Sequence, residues 1–182
     1  PLDMMGVVHL LQAVGNTRMV PLVRVPWNDA VTVKRVLDAG ATTLLVPFVQ
    51  NADEAQQAVS ATRYPPAGIR SVVNMSRASK FGTVPNYLKN ADQQMGVVVQ
   101  LETEAAVRAI DSIAAIAGVD AVFIGPSDLA SSMGHPGQPL HADVVTLVTQ
   151  AVQRCRALGK PIGTLGHTPD QVVHYRAMGF AY

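Results

Sequence analysis

Two carboxylates and one guanidinium occupy positions from which a parallel α/β fold does chemistry. Glu102 follows the apolar run 95–101 (MGVVVQL), Asp128 follows the run 121–125, and Arg24 lies at the end of the run 19–25. If those runs are consecutive parallel strands, the two acids are neighbours across one strand gap and repel unless a cation lies between them. A hard divalent ion fills that role, because Mg²⁺-type sites use one or two carboxylates with waters and substrate oxygens. Arg24 adds a permanently charged planar fork for a carboxylate or a developing oxyanion. The set reads as a metal held by Glu102 and Asp128, with Arg24 facing the substrate. Gln100 and Ser127 accompany the acids, and the other strand ends carry Pro47, Phe48 and Gln50, then Leu165, Gly166 and His167.

Each of these residues also has a plainer reading. Asp128, in Gly125-Pro126-Ser127-Asp128-Leu129, could cap a short helix. Glu102 could be a solvated first-turn acid, Arg24 a structural partner of either acid, and Gln100 a satisfied polar group within its strand. Spacing alone leaves both sets open. The five histidines are weaker candidates. His9 falls in an opening helix, His135 in a loop, His141 just before a helix and His174 within one; His167, at a strand end, is the best placed. No pair has the helical His-Glu-x-x-His spacing of a zinc site. Cys155 falls on the apolar stripe of a helix and reads as core. The glycines at 134 and 137 lack the strand-to-helix placement of a phosphate cradle, and Trp27 reads as packing around a strand–helix turn.

Two hydrophobic periods alternate along the chain and place these residues. Leu2, Met5, Val8 and Leu11 suggest an opening helix. Strands are expected at 19–25, 42–48, 95–101, 121–125 and 161–165. Between them, Asn28 caps a helix with Val33, Val36 and Leu37 on one face, closed by Gly40. Asn51 with Glu54 opens a second, carrying Ala55, Val59 and Thr62. Thr103 caps a third, with Val107, Ile110, Ile113 and Ala114 inward and Gly118 at its close. A fourth has Val144, Val148, Val152 and Cys155 on one side, and Thr168-Pro169-Asp170-Gln171 starts a fifth. Residues 180–182 read as the start of a sixth strand. Such βα alternation predicts a parallel sheet covered by helices, and both a doubly wound sheet and a (β/α)8 barrel fit. Eight units of this size extrapolate to about 250 residues, the usual barrel length. The 182 residues show no linker or short repeat and are read as one domain, 1–182.

Composition removes several function classes. Lys+Arg 14 against Asp+Glu 13 gives a formal net charge of +1, so nothing marks a nucleic-acid partner. Aromatic residues are 5%, which argues against stacking platforms for bases or sugars. One cysteine excludes an intramolecular disulfide and a cysteine-based zinc cage. No apolar run reaches the roughly 18 residues of a membrane helix and no signal-peptide pattern opens the chain, so the expectation is a cytoplasmic protein with no membrane partner. The chain starts at Pro1 without a methionine, and it is read as a fragment.

Residues 23–29 (VRVPWND), 44–55 (LLVPFVQNADEA), 61–70 (ATRYPPAGIR), 97–103 (VVVQLET) and 122–130 (VFIGPSDLA) together resemble the HpcH/HpaI family. These are class II, metal-dependent, pyruvate-specific aldolases, among them enzymes acting on 4-hydroxy-2-oxoheptanedioate and 2-dehydro-3-deoxyglucarate. The resemblance runs essentially end to end. It implies a (β/α)8 barrel, here with about strands 3 to 7 present and strand 8 only begun, and a homo-oligomer, usually a hexamer built as a dimer of trimers with a swapped C-terminal helix. It implies that Glu102 and Asp128 bind Mg²⁺, Mn²⁺ or Co²⁺, and that Arg24 binds the keto oxygen and stabilises the enolate. Gln100 falls on a pocket position beside the metal. Gly125, Pro126 and Ser127 fall on the turn lying against pyruvate, and Leu165 on an apolar pocket wall. The family's acidic residue and acid/base histidine would precede Pro1, and Ser71 stands where many members have glycine.

The implied reaction is retro-aldol cleavage of a 4-hydroxy-2-oxo acid to pyruvate and an aldehyde. No Schiff base is needed, and Lys34, Lys80, Lys89 and Lys160 all fall away from the carboxyl ends of strands. Three alternatives remain at this level. A CoA-ester lyase of the citryl- or malyl-CoA type would share the metal and arginine but need a basic nucleotide-docking surface. A barrel glycosidase would also use two strand-end carboxylates, although scarce aromatics and the arginine count against it. The last is an inactive truncated barrel, with exposed sheet edges and a tendency to aggregate.

Overall fold

The computed structural model describes residues 2–181; Pro1 and Tyr182, the latter included in the expected sixth strand, lie outside them. In chain order the elements are α1 (Met4–Val14), β1 (Leu22–Arg24), α2 (Ala30–Asp38), β2 (Thr43–Val46), α3 (Ala52–Thr62), α4 (Tyr87–Asn90), β3 (Gly96–Leu101), α5 (Glu104–Arg108), α6 (Ile110–Ala114), β4 (Ala121–Ile124), α7 (Pro126–Ser132), α8 (Ala142–Ala157), β5 (Ile162–Thr164) and α9 (Pro169–Met178), with a 3₁₀ turn at Ala91–Gln94. All five expected strands form, each shorter than its apolar run. β1 pairs with β2, and β3, β4 and β5 pair in sequence order. No helix of the described residues is long and apolar enough to cross a membrane.

The described residues fall into two compact units, residues 2–46 with 57–97 and residues 47–56 with 98–181. In the first, β1 pairs parallel with β2, Arg24 lying opposite Leu45. The Gly96 N–H donates to the Thr42 carbonyl (2.8 Å), which joins the first residue of β3 to the entrance of β2. Helix α2 begins one residue later than Asn28 predicts. Asp29 is the cap, its carboxylate accepting from the Thr32 N–H at 2.8 Å. Both types are good N-caps, and Asp29 can also take the Thr32 hydroxyl, at 2.7 Å. Val33, Val36 and Leu37 are buried as the helical period demands.

Helix α1 departs from expectation: only Leu11 is buried, while Leu2 and Met5 are exposed. Trp27 is likewise exposed. The segment after α3 is anchored by Arg70, a fully buried side chain. Its guanidinium donates to Asp38 at 2.8 Å and lies 4.5 Å from the centre of the Tyr64 ring. Burial pushes the Tyr64 phenol up to about 12.

In the second unit β3, β4 and β5 form parallel ladders, with Leu101 opposite Ile124 and Ile124 opposite Thr164. The Ala181 N–H donates to the Ile162 carbonyl at 2.9 Å, so the chain returns alongside β5 where a further strand was expected. The single helix predicted after Thr103 is instead two, α5 and α6, interrupted at Ala109 (φ −85°, ψ 8°). Its inward residues Val107, Ile110, Ile113 and Ala114 are nonetheless buried. Both short helices pack on α8, which buries Val144, Leu147, Val148, Ala151, Val152 and Cys155. Burial raises the Cys155 thiol to about 11, leaving it a core residue.

Candidate active site

The carboxyl ends of β3 and β4 place most of the expected residues together within the second unit. The register pairs Gln100 with Phe123 and Leu101 with Ile124, and the Gly125 N–H donates to the Leu101 carbonyl at 3.1 Å. Glu102 and Gly125 are therefore abreast, each one step beyond its strand. Glu102 is only 4% exposed and Gln100 7%, so the reading of Glu102 as a solvated acid is wrong.

The Glu102 carboxylate is fixed from two directions. The Phe48 N–H donates to Oε2 at 2.8 Å, and the Gln100 side-chain amide donates to Oε1 at 3.0 Å. Phe48 reaches it from the residues that follow β2, in the left-handed region (φ 56°). A non-glycine residue there costs about 1–2 kcal/mol, and here the conformation aims a backbone donor at the acid. The adjoining Val49 N–H donates to the Gln100 carbonyl at 3.1 Å. The same loop is tied down by its side chains. The Gln50 N–H donates to Glu54 Oε2 (2.8 Å), the Glu54 N–H to Asn51 Oδ1 (2.9 Å), and the Thr103 hydroxyl to Gln50 Oε1 (2.6 Å). Thr103 also accepts from the Ala106 N–H at 3.2 Å and so starts α5, as expected.

Gly125 closes the other side. A Cβ at this position would lie 2.8 Å from Glu102 Cγ, 3.0 Å from Gln100 Nε2 and 3.2 Å from Glu102 Oε1. The missing side chain is thus what lets the β4–α7 turn approach the carboxylate. Pro126 occupies the first turn of α7 with its fixed φ, and Asp128 lies in that same turn. Pro126 is buried, whereas Ser127 and Asp128 are exposed. Leu165, one residue past β5, is exposed. Arg24 is the last residue of β1, in the first unit, and is exposed.

The donor set suits a hard divalent cation. Both acids offer carboxylate oxygens, the ligand type such ions prefer. A carboxylate has about four lone-pair sites, and the Phe48 and Gln100 bonds use two of those on Glu102. A Gly125→Ala substitution should push Glu102 and Gln100 off these bonds. We expect it to destabilise the fold by about 1–3 kcal/mol, as overpacking does, and to weaken Mn²⁺ binding. A melt and a Mn²⁺ titration that both match the unsubstituted protein would show that the turn gives way instead.

Two features escaped sequence reasoning. The Phe48 donor is a backbone group that no residue type announces; Pro47-Phe48 at a strand end was the sole trace of it. The second is a cluster of His135, His141 and Asp143, whose members look like loop and cap residues when taken one at a time.

The chain has relatives among known proteins. The family profile described as HpcH/HpaI aldolase/citrate lyase matches residues 2–182. The chain is 44% identical over 182 residues to the 2-dehydro-3,6-dideoxy-6-sulfogluconate aldolase of Pseudomonas putida, covering 100% of this chain and 71% of the relative. It is 49% identical over 178 residues to the pyruvate aldolase of Rhizobium etli, covering 98% and 69%. Among solved structures, an HpcH/HpaI aldolase/citrate lyase family protein from Burkholderia cenocepacia J2315 superposes with a TM-score of 0.94 at 38% identity, covering 98% of this chain and 72% of that one.

Proposed function

The chain belongs to the HpcH/HpaI aldolase/citrate lyase family, and on that premise we propose that it is a class II aldolase: a carbon–carbon lyase that releases pyruvate from a 4-hydroxy-2-oxo acid. The fold class that comes with membership is the (β/α)8 barrel, of which the chain holds the part described above. The substrate class follows from the relatives' chemistry. A gluconate skeleton with an oxo group at C2 and no oxygen at C3 keeps its hydroxyl at C4, and C3–C4 cleavage of such an acid gives pyruvate and an aldehyde. The name sulfogluconate aldolase describes the acid that such a break consumes, and pyruvate aldolase the half that it releases.

The observation that carries the reading is the buried Glu102 carboxylate, held by the Phe48 N–H and the Gln100 amide beside a residue without a Cβ. The family is divalent-metal dependent, and Glu102 with Asp128 would hold the ion, with Mg²⁺, Mn²⁺ and Co²⁺ the candidates. When bound, the ion supplies Lewis acidity to the keto oxygen of the substrate. Gln100 and the Phe48 amide keep Glu102 in one orientation. The turn of Gly125, Pro126 and Ser127 lays its backbone against the pyruvyl moiety, and Leu165 offers it an apolar wall. Arg24 carries the charge step: as the C4 hydroxyl passes its proton to water and the C3–C4 electrons move toward the keto oxygen, its guanidinium meets the negative charge that develops there, and a proton returned by water to C3 of the enolate completes pyruvate.

Pyruvate release should be measured by a coupled assay on the full-length gene product, over a panel of 2-oxo-3-deoxy-4-hydroxy acids. We expect activity that EDTA abolishes and Mn²⁺ or Mg²⁺ restores. Acetyl-CoA release from citryl- or malyl-CoA in place of pyruvate release would move the protein to the citrate-lyase side of its family. EDTA-insensitive turnover would overturn the metal reading altogether.

A further inference from the structure

A second group of metal-ligating side chains lies in the second unit and uses none of the residues assigned above. His135 lies in the loop after α7, His141 is the N-cap of α8, and Asp143 is in the first turn of that helix. His135 Nε2 is 3.4 Å from Asp143 Oδ2, and His141 Nδ1 is 3.6 Å from the same oxygen. One ligand atom from each residue falls within 4.8 Å of the others. Both N···O gaps exceed the roughly 2.9 Å of an N–H···O hydrogen bond. They are of the order of the about 3.4 Å between neighbouring ligand atoms of a tetrahedral shell with bonds of about 2.0–2.2 Å, which puts the three side chains within reach of one ion once the rings turn.

The two imidazoles stack, with centroids 3.5 Å apart and planes at 14°. Both histidines are partly sheltered while Asp143 is open to solvent. A cavity of about 390 Å³ opens at His135 and Asp143, with Glu104, Arg108, Thr146 and Gln150 also on its walls. A fourth ligand position can therefore be filled by water.

We propose that His135, His141 and Asp143 form a binding site for a borderline divalent cation of the Zn²⁺ or Ni²⁺ type. Two imidazoles and one carboxylate select such ions over Mg²⁺, which prefers an all-oxygen shell. Ligation requires two adjustments. The rings rotate out of their stack, because a nitrogen lone pair lies in its ring plane and one ion cannot lie in two parallel planes. His141 Nδ1 also gives up the capping bond it accepts from the Asp143 N–H at 3.3 Å. In exchange the ion joins the loop at His135 to the start of α8 through two successive ligands. The site does not depend on the lyase reading and involves no step of that reaction.

The test is a Zn²⁺ titration by calorimetry on untagged full-length protein, alongside the His135→Ala and Asp143→Asn variants, with Mg²⁺ titrations of all three. Loss of even an outer-shell partner weakens a metal site by about 10–100-fold, so loss of a ligand should weaken the Zn²⁺ event by more than about 100-fold. Mg²⁺ binding should be the same in all three proteins, and Zn²⁺ should raise the melting temperature of the unsubstituted protein but not of His135→Ala. His135 lies in a loop, and a normal melt in EDTA establishes that its variant folds. Equal Zn²⁺ affinity and stoichiometry in the unsubstituted and His135→Ala proteins would overturn the proposal. Failure of the lyase reading shows elsewhere, as Mn²⁺ affinity unchanged by substitution at Asp128.

Discussion

Glu102→Gln is expected to lower kcat for pyruvate release by about 10²–10³-fold, the range seen when one preorganised electrostatic contact is removed, and to weaken Mn²⁺ binding in parallel. The substitution preserves shape but not donor–acceptor logic. In the native protein one oxygen accepts from the Phe48 N–H and the other from the Gln100 amide. Glutamine has one acceptor oxygen, so its NH₂ must face one of those two donors, and that buried bond survives only if the Gln100 amide turns its own oxygen toward it. Without that turn the unsatisfied buried group costs about 1–3 kcal/mol, and a lower melting temperature should accompany the activity loss. Asp128→Ala separates the two contributions, because Asp128 is exposed and its removal leaves no buried donor behind. It should lose Mn²⁺ affinity and activity while keeping its melt. If Glu102→Gln binds Mn²⁺ as the native chain does, Glu102 holds no ion.

The parts of this fold that were legible in the sequence are those set by period and punctuation. Val33, Val36 and Leu37, and Val144, Val148, Val152 and Cys155, lie at helical spacing and are buried. Thr168 caps α9 through the Gln171 N–H at 3.3 Å, while the Gln171 side chain reaches back to the His167 N–H at 2.8 Å. The errors arise where neighbouring residues have equal credentials or where tertiary packing decides. Asn28 and Asp29 are equally good caps, and only the Thr32 contacts distinguish them. Ala109 is a strong helix former, so nothing local announces the break there. Leu2 and Met5 carry the period of a buried face, yet the described residues do not cover them.

The candidate site divides along the same line. Glu102, Asp128 and Gln100 stood out as candidates because a strand end is where a parallel sheet exposes side chains to substrate. Glu102's depth was not visible, since it depends on Phe48 folding over from another strand end and on Gly125 yielding space. His135 and His141 were passed over because a loop carrying Pro136 and Gly137 has no fixed period by which to bring two rings together.

Arg24→Ala is expected to reduce kcat by at least about 10²–10³-fold, the effect of losing an oxyanion contact. Arg24 is exposed at the end of β1, and its strand is held by backbone pairing with β2, so the variant should fold and the loss should be one of chemistry. The distribution between constants is the decisive reading. Charge accumulates on the keto oxygen only as the C3–C4 bond breaks, so a group that meets it acts in the transition state and its removal lowers kcat and kcat/KM together. If Arg24 held only the substrate carboxylate, present equally in ground and transition states, the substitution would raise KM and spare kcat. Arg24→Lys refines the test, because lysine keeps the charge but loses the planar fork with its paired donors. Partial recovery of kcat by lysine would identify charge as the working quantity, and no recovery would identify the geometry of the fork. A variant whose kcat matches that of the native enzyme would remove Arg24 from the reaction.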